Sequence, residues 1–152
     1  MDLRTRISAD GLTADWLLGG MQLAVDDGLE TAITLSLFTD RLADAGDVLP
    51  AGSEHRRGWW GDSFAEFDGD LIGSRLWLLA REKQLPVVLQ RARDYARESL
   101  RWLVDDGIAR NVEADAQFVG LGVLALTVTV ERAVAGPVRF RFEIFWGTEN
   151  AV

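Results

Sequence analysis

Leu124-Ala125-Leu126-Thr127-Val128-Thr129-Val130-Glu131 and Val138-Arg139-Phe140-Arg141-Phe142-Glu143-Ile144-Phe145-Trp146 alternate apolar with mostly polar or small residues, and Ala135-Gly136-Pro137 stands between them. A period of two on both sides of a Gly-Pro turn predicts a β-hairpin with one apolar face. Ile108 to Ala114 reads as a third strand leading into it. Upstream the period changes. Val88, Ala92, Tyr95, Ser99, Trp102 and Leu103 recur at three- and four-residue steps, which predicts one amphipathic helix over about residues 86–104. Pro86 suits its first position and Gly107 its end. Mixed elements, a long helix and then a meander define an α+β fold, with the helix packed on an antiparallel sheet over about residues 108–146.

The N-terminal half is less regular. Residues 1–28 read as irregular chain or short strands. Between Leu29 and Asp40 two readings stay open. Ile33, Leu35 and Leu37 alternate as in a strand, whereas Leu29, Ala32, Ile33, Ser36 and Leu37 share one helical face. Residues 41–70 form a long connection rich in Asp, Gly and Ser, of a length that is usually functional or mobile in a compact domain. Its polarity predicts that it moves in the free chain and orders on assembly. Leu76-Trp77-Leu78-Leu79 is a short apolar run beyond it. The 152 residues suit a single domain spanning 1–152.

Composition excludes several classes of function. The chain has no cysteine and one histidine, His55, so it has no disulfide, no thiolate nucleophile and no pair of imidazoles for a metal. No cofactor is expected. Sixteen basic and 24 acidic residues give a net charge of −8, which disfavours nucleic acid as a partner. The N-terminus lacks the apolar stretch of a secretory signal, and no apolar run is long enough to span a bilayer, so no membrane partner is expected. Charge is segregated: residues 1–70 hold five basic and fourteen acidic side chains, residues 71–110 eight and five. Such asymmetry suits faces that meet complementary neighbours.

Motifs for catalysis are missing. There is no nucleophile elbow and no phosphate loop, since Gly69-x-x-x-Gly73-Ser74 lacks the lysine. A Ser-His-Asp triad could use only His55, beside two arginines that would oppose its protonation. Asp62, Glu66, Asp68 and Asp70 cluster near tryptophans, but no apolar frame surrounds them to make a general acid. A cell-wall hydrolase using a pair among Glu66, Asp68 and Asp70 is the alternative function.

Six tryptophans and fifteen arginines are the remaining signal. Trp77, Trp102 and Trp146 fall on apolar faces and read as core. Trp59-Trp60 lies between glycines in the long connection, where adjacent rings cannot both enter one core from extended chain. Tryptophan and arginine are the residue types enriched in interface hot spots. Arg97 and Arg101 repel at i,i+4 and Asp105 and Asp106 oppose the helix dipole, conflicts that suggest a partner surface. The candidate partner-binding residues are therefore Arg56, Arg57, Trp59, Trp60, Asp62, Arg75, Arg97 and Arg101, with no catalytic and no metal-ligating residue.

Arg56-Arg57-Gly58-Trp59-Trp60-Gly61-Asp62 and Gly73-Ser74-Arg75-Leu76-Trp77-Leu78-Leu79 also carry a resemblance. The chain resembles the small baseplate protein family of Mu-like contractile-tail phages and prophages, itself similar to the small, lysozyme-like wedge protein of other contractile tails. The match runs through Asp26-Asp27-Gly28-Leu29-Glu30-Thr31-Ala32, Leu37-Phe38-Thr39-Asp40-Arg41 and Leu100-Arg101-Trp102-Leu103, about residues 15–146. The resemblance implies a helix at residues 29–39 and a structural, non-enzymatic role in the virion tail baseplate. There the protein, made in the host cytoplasm, would join wedge proteins around the hub and spike and support sheath assembly. The wider wedge family carries a Glu-Pro-Arg motif ahead of a strand. Asp105-Asp106-Gly107-Ile108-Ala109-Arg110 stands in the nearest place, so docking through that motif does not carry over.

Overall fold

Four rows of side chains across a three-stranded sheet build one wall of the core. In the computed structural model, which describes residues 28–50 and 53–145 and the backbone of six short strands between residues 2 and 26, the C-terminal sheet has three antiparallel strands. The short strands pair antiparallel: β1 (Asp2–Leu3) with β6 (Val25–Asp26), β2 (Thr5–Ile7) with β3 (Ala14–Trp16), and β4 (Leu18–Gly19) with β5 (Gln22–Leu23). The Trp16 side chain and all of Trp146 lie outside the described residues.

The sheet is β7 (Ala109–Gly120), β8 (Val123–Arg132) and β9 (Val138–Phe145), in that order. Register sets Phe118, Leu124 and Ile144 side by side, then Ala116, Leu126 and Phe142, then Ala114, Val128 and Phe140, then Val112, Val130 and Val138. The apolar faces expected from the alternation are therefore in phase across all three strands. Leu124, Leu126, Val128 and Val130 are fully buried, and each such side chain contributes about 1.5–3 kcal/mol relative to an exposed position. The first strand runs six residues beyond the expected Ala114 and reaches Gly120. Its inward residues Ala114 and Ala116 are too small to stand out as an apolar alternation in the sequence, yet both are buried.

Those alanines lie where the helix α2 (Pro86–Ser99) packs on β7. Val88, Ala92, Tyr95, Ala96 and Ser99 form its buried stripe. The expected helix to residue 104 is broken at Leu100. The Ser99 hydroxyl donates to the Ala96 carbonyl at 2.9 Å, and the Leu100 N–H is shared between Ala96 and Arg97 carbonyls at 3.2 and 3.3 Å. Serine back-bonding of this kind bends helices. A four-residue turn of helix, α3 (Trp102–Asp105), follows, and Gly107 at φ 73° ends it. The break softens the charge conflict read from the sequence: Arg101 stands before α3 and pairs with Asp105 at 3.5 Å, while Arg97 pairs with Asp94.

Residues 29–38 settle as helix α1 (Leu29–Phe38). Ile33, Ser36 and Leu37 are buried, whereas Leu35 is 52% exposed, so the strand alternation would have put the wrong leucine inside. Leu76–Leu79 is a 3-10 turn with all four side chains buried. The Trp77 indole N–H donates to the Arg41 carbonyl at 2.8 Å.

The long connection is tied down at both ends. Ser74 is buried; its N–H donates to Thr39 O at 2.9 Å, its carbonyl accepts from Arg41 N–H at 3.0 Å, and its hydroxyl donates to Leu37 O. Gly73 permits this approach. At φ 95° it is in the left-handed region, and a Cβ there would stand 2.3 Å from Thr39 O. Arg75, next in line, reaches Asp44 at 2.7 Å and Asp47 at 3.0 Å in the connection and Glu98 on α2.

Gly73→Ala should therefore lose at least about 2 kcal/mol in urea denaturation, since a strained backbone and a backbone clash add. Gly136→Ala, with nothing within 4 Å of the added carbon, should change stability by less than about 1 kcal/mol.

Candidate partner-binding surface

Arg57 at φ 54° and Gly58 at φ 107° turn the chain sharply before the two tryptophans. A 3-10 turn, Trp60–Phe64, follows. The Trp59 ring folds over Gly61, where a Cβ would lie 2.2 Å from the ring, so a larger residue there would displace the indole. Trp59 and Trp60 meet at 5.5 Å between centroids, and Trp60 and Phe64 edge to face at 6.2 Å. Trp60 is 75% and Phe64 79% exposed, and Phe67 is also open to solvent. The sequence predicted that the two rings would not both enter the core, and here neither is buried.

The turn is fixed from behind by Asp62. Its Oδ1 accepts the Ile72 N–H at 3.1 Å. Its Oδ2 is sealed from solvent and has no hydrogen-bond partner among the described residues. Between this turn and α1 opens a cleft of about 570 Å³. Leu35 and Ser36 of α1, Trp59, Asp62 and Phe64 of the turn, Asp70, Leu71 and Ile72, and Ser99 and Trp102 line it. Trp102 is half-buried rather than enclosed, because one flank forms this wall. Its indole N–H donates at 3.0 Å to the Ser36 hydroxyl, which itself donates to Ala32 O at 2.8 Å.

The eight candidate residues are thus distributed unevenly. Trp59, Trp60 and Asp62 come together at the turn. Arg57 buttresses it: its guanidinium stacks on Trp77 at 4.6 Å and pairs with Asp40 at 2.7 Å. Arg56 binds Ala43 through both its side chain and its backbone. Arg75 is turned inward, with a side chain only 15% exposed and its donors taken up by Asp44, Asp47 and Glu98 while it stacks on Tyr95 at 4.8 Å. Burial works against its charge, but the hydrogen bonds and attraction of Asp47 and Glu98 outweigh that and raise its pKa above the usual arginine value. Arg97 reaches β7 and donates to Ala114 O at 3.3 Å, beside Arg93, which binds Asp115 and Ala116 O. Arg101 is the most open, with an 80% exposed side chain.

Sequence reasoning missed Phe64, Phe67 and Leu35. The signal for the two phenylalanines was their place in an acidic stretch without other apolar residues. Leu35 has no such signal, because only the helix reveals its outward direction. Chemistry is sparse: the Ser53 hydroxyl donates to the His55 backbone rather than to its ring, and Glu66, Asp68 and Asp70 are exposed. Among the described residues no group of three His, Asp or Glu side chains could hold a metal ion, and no helix is long and apolar enough to cross a membrane.

The α+β fold thus presents an exposed aromatic turn over a largely apolar cleft. The family described as Phage protein GP46 matches residues 29–136, and the chain belongs to this family. It is 47% identical over 124 residues to Baseplate protein gp46 of Escherichia phage Mu, covering 80% of this chain and 83% of that one. It is 45% identical over 116 residues to Mu-like prophage FluMu protein gp46 of Haemophilus influenzae, covering 76% and 77%.

Two substitutions separate fold from surface. Trp102→Ala should cost about 2–4 kcal/mol, a little less than a fully enclosed aromatic, because packing and the Ser36 hydrogen bond go together. Trp60→Ala should stay within about 1 kcal/mol of wild type in thermal melts. Arg75→Lys should lose about 1–2 kcal/mol, since an ammonium cannot fork between three carboxylates.

Proposed function

We propose that this protein is a structural, non-enzymatic component of a contractile-tail baseplate, phage or prophage-derived, located in the virion tail after synthesis in the host cytoplasm. The observation that carries the reading is the Trp59–Phe64 turn: large aromatic side chains held out to solvent by a glycine, a buttressing arginine and a backbone-bound aspartate. Exposed aromatics ordered in advance lose little entropy on docking and are typical hot-spot residues. The relative named as a baseplate protein supplies the setting. Within it, the chain joins wedge proteins around the hub and spike and supports the start of the sheath. Arg56, Arg57, Trp59, Trp60 and Asp62 form or brace the principal contact, with Arg97 and Arg101 on a second face. Arg75 acts by holding the connection in place.

Removal of the gene should leave tails without complete baseplates, and wild-type protein should restore them. A Trp60→Ala/Phe64→Ala double variant should remain folded and soluble and yet fail to restore, with binding to its neighbour weakened by about 2 kcal/mol or more per hot-spot residue. The purified chain should leave a peptidoglycan suspension turbid. Lysis that disappears in Glu66→Gln or Asp68→Asn protein would replace this reading by the hydrolase.

A further inference from the structure

The cleft behind the aromatic turn has a chemistry of its own. Its walls are largely apolar, with Trp59, Phe64, Leu35 and Trp102 contributing. Two carboxylates, Asp62 and Asp70, also line it. Asp62 stands out: one oxygen accepts the Ile72 N–H, and the other is sealed from water with no partner among the described residues. A carboxylate oxygen buried without a partner is costly, and a cation placed near it lowers that cost. From Gly58 to Ser74 the sequence holds Asp62, Glu66, Asp68 and Asp70 and no lysine or arginine. The arginines that bound this stretch in sequence are engaged elsewhere, Arg57 with Asp40 and Arg75 with Asp44, Asp47 and Glu98.

We propose that this cleft seats a segment of a neighbouring tail protein that presents an arginine or lysine among apolar side chains. The apolar groups fill the space between α1 and the turn, and the cation lies against Asp70 and offsets the uncompensated charge of Asp62. The inference rests on the baseplate reading for the identity of the neighbour, but the chemistry of the occupant follows from the cleft alone. An apolar occupant without a cation would bury the two carboxylates further from water, and an acidic one would be repelled.

The test places p-benzoylphenylalanine at Phe64 of the full chain, within tails assembled from the other proteins of the same phage, and maps the photo-crosslink by mass spectrometry. The expected product joins this chain to another tail protein, with an arginine or lysine within about four residues of the crosslinked position. Asp62→Asn/Asp70→Asn in the same chain should cut the yield at least about tenfold, the scale of a lost charge-assisted contact. The melting temperature should hold, because the asparagine carbonyl keeps the Ile72 hydrogen bond. A crosslink to residues 1–27 of the same chain, to a second copy or to a segment without a cation would overturn the proposal, as would a yield insensitive to the two asparagines. If the wild-type chain does not enter tails, the baseplate reading falls, and the cleft is decided on the isolated protein. Acetyl-Leu-Arg-Leu-amide should then shift the indole resonances of Trp59 and Trp102 with at least tenfold tighter binding than acetyl-Leu-Glu-Leu-amide. Equal binding, or none, would overturn it.

Discussion

A buried serine joins the two halves of this molecule. Through its N–H, carbonyl and hydroxyl, Ser74 holds the end of α1 at Leu37, Thr39 and Arg41. Gly73 allows the backbones to come that close, and Arg75 fastens the connection and α2 to the same point. Backbone groups left unpaired at such a junction would each cost about 1–3 kcal/mol, so the three bonds of Ser74 act together. The aromatic turn inherits its position from this junction. Arg57, inside the connection, can pair with Asp40, just before it, because residues 39–41 are already pinned.

The sheet provides the rigid base. Its ladders leave one face for α2, and the arginines of that helix reach over it to the carbonyls of Ala114 and Ala116. Those carbonyls belong to an outer strand of the sheet, where unpaired backbone groups invite other chains, and bonding them from the helix blunts that edge. Arginines that look from the sequence like a free basic stripe are thus partly spent on architecture. Exposure of Trp60, Phe64 and Phe67 is the opposite case: apolar area that the free chain leaves uncovered, in a molecule with ample core to bury it.

Much of the fold was legible from residues alone. The hairpin at Leu124–Val130 and Val138–Phe145 follows from a period of two, and the start of α2 follows from Pro86 and its stripe. The break at Leu100 was not, since it depends on whether the Ser99 hydroxyl turns to Ala96 or to solvent. The extent of β7 was hidden by alanines that are inward only because a helix lies on them. The Trp59-Trp60 pair was legible as not wholly core, but on an extended-chain argument, whereas a 3-10 turn starts at Trp60 and the two rings meet.

Local periodicity and the glycine-flanked tryptophans suffice, then, for the class of fold and for an exposed aromatic turn, because both are properties of adjacent residues. The helix at 29–38, the inward turn of Arg75 and the cleft that includes Leu35 and Trp102 are not such properties. Each is settled by residues far apart in the chain: Trp102 meets Ser36, and Arg75 meets Asp44, Asp47 and Glu98. Whether a side chain faces a partner or its own core is decided by which distant backbone happens to lie within hydrogen-bonding reach, and that is fixed only when the chain has folded.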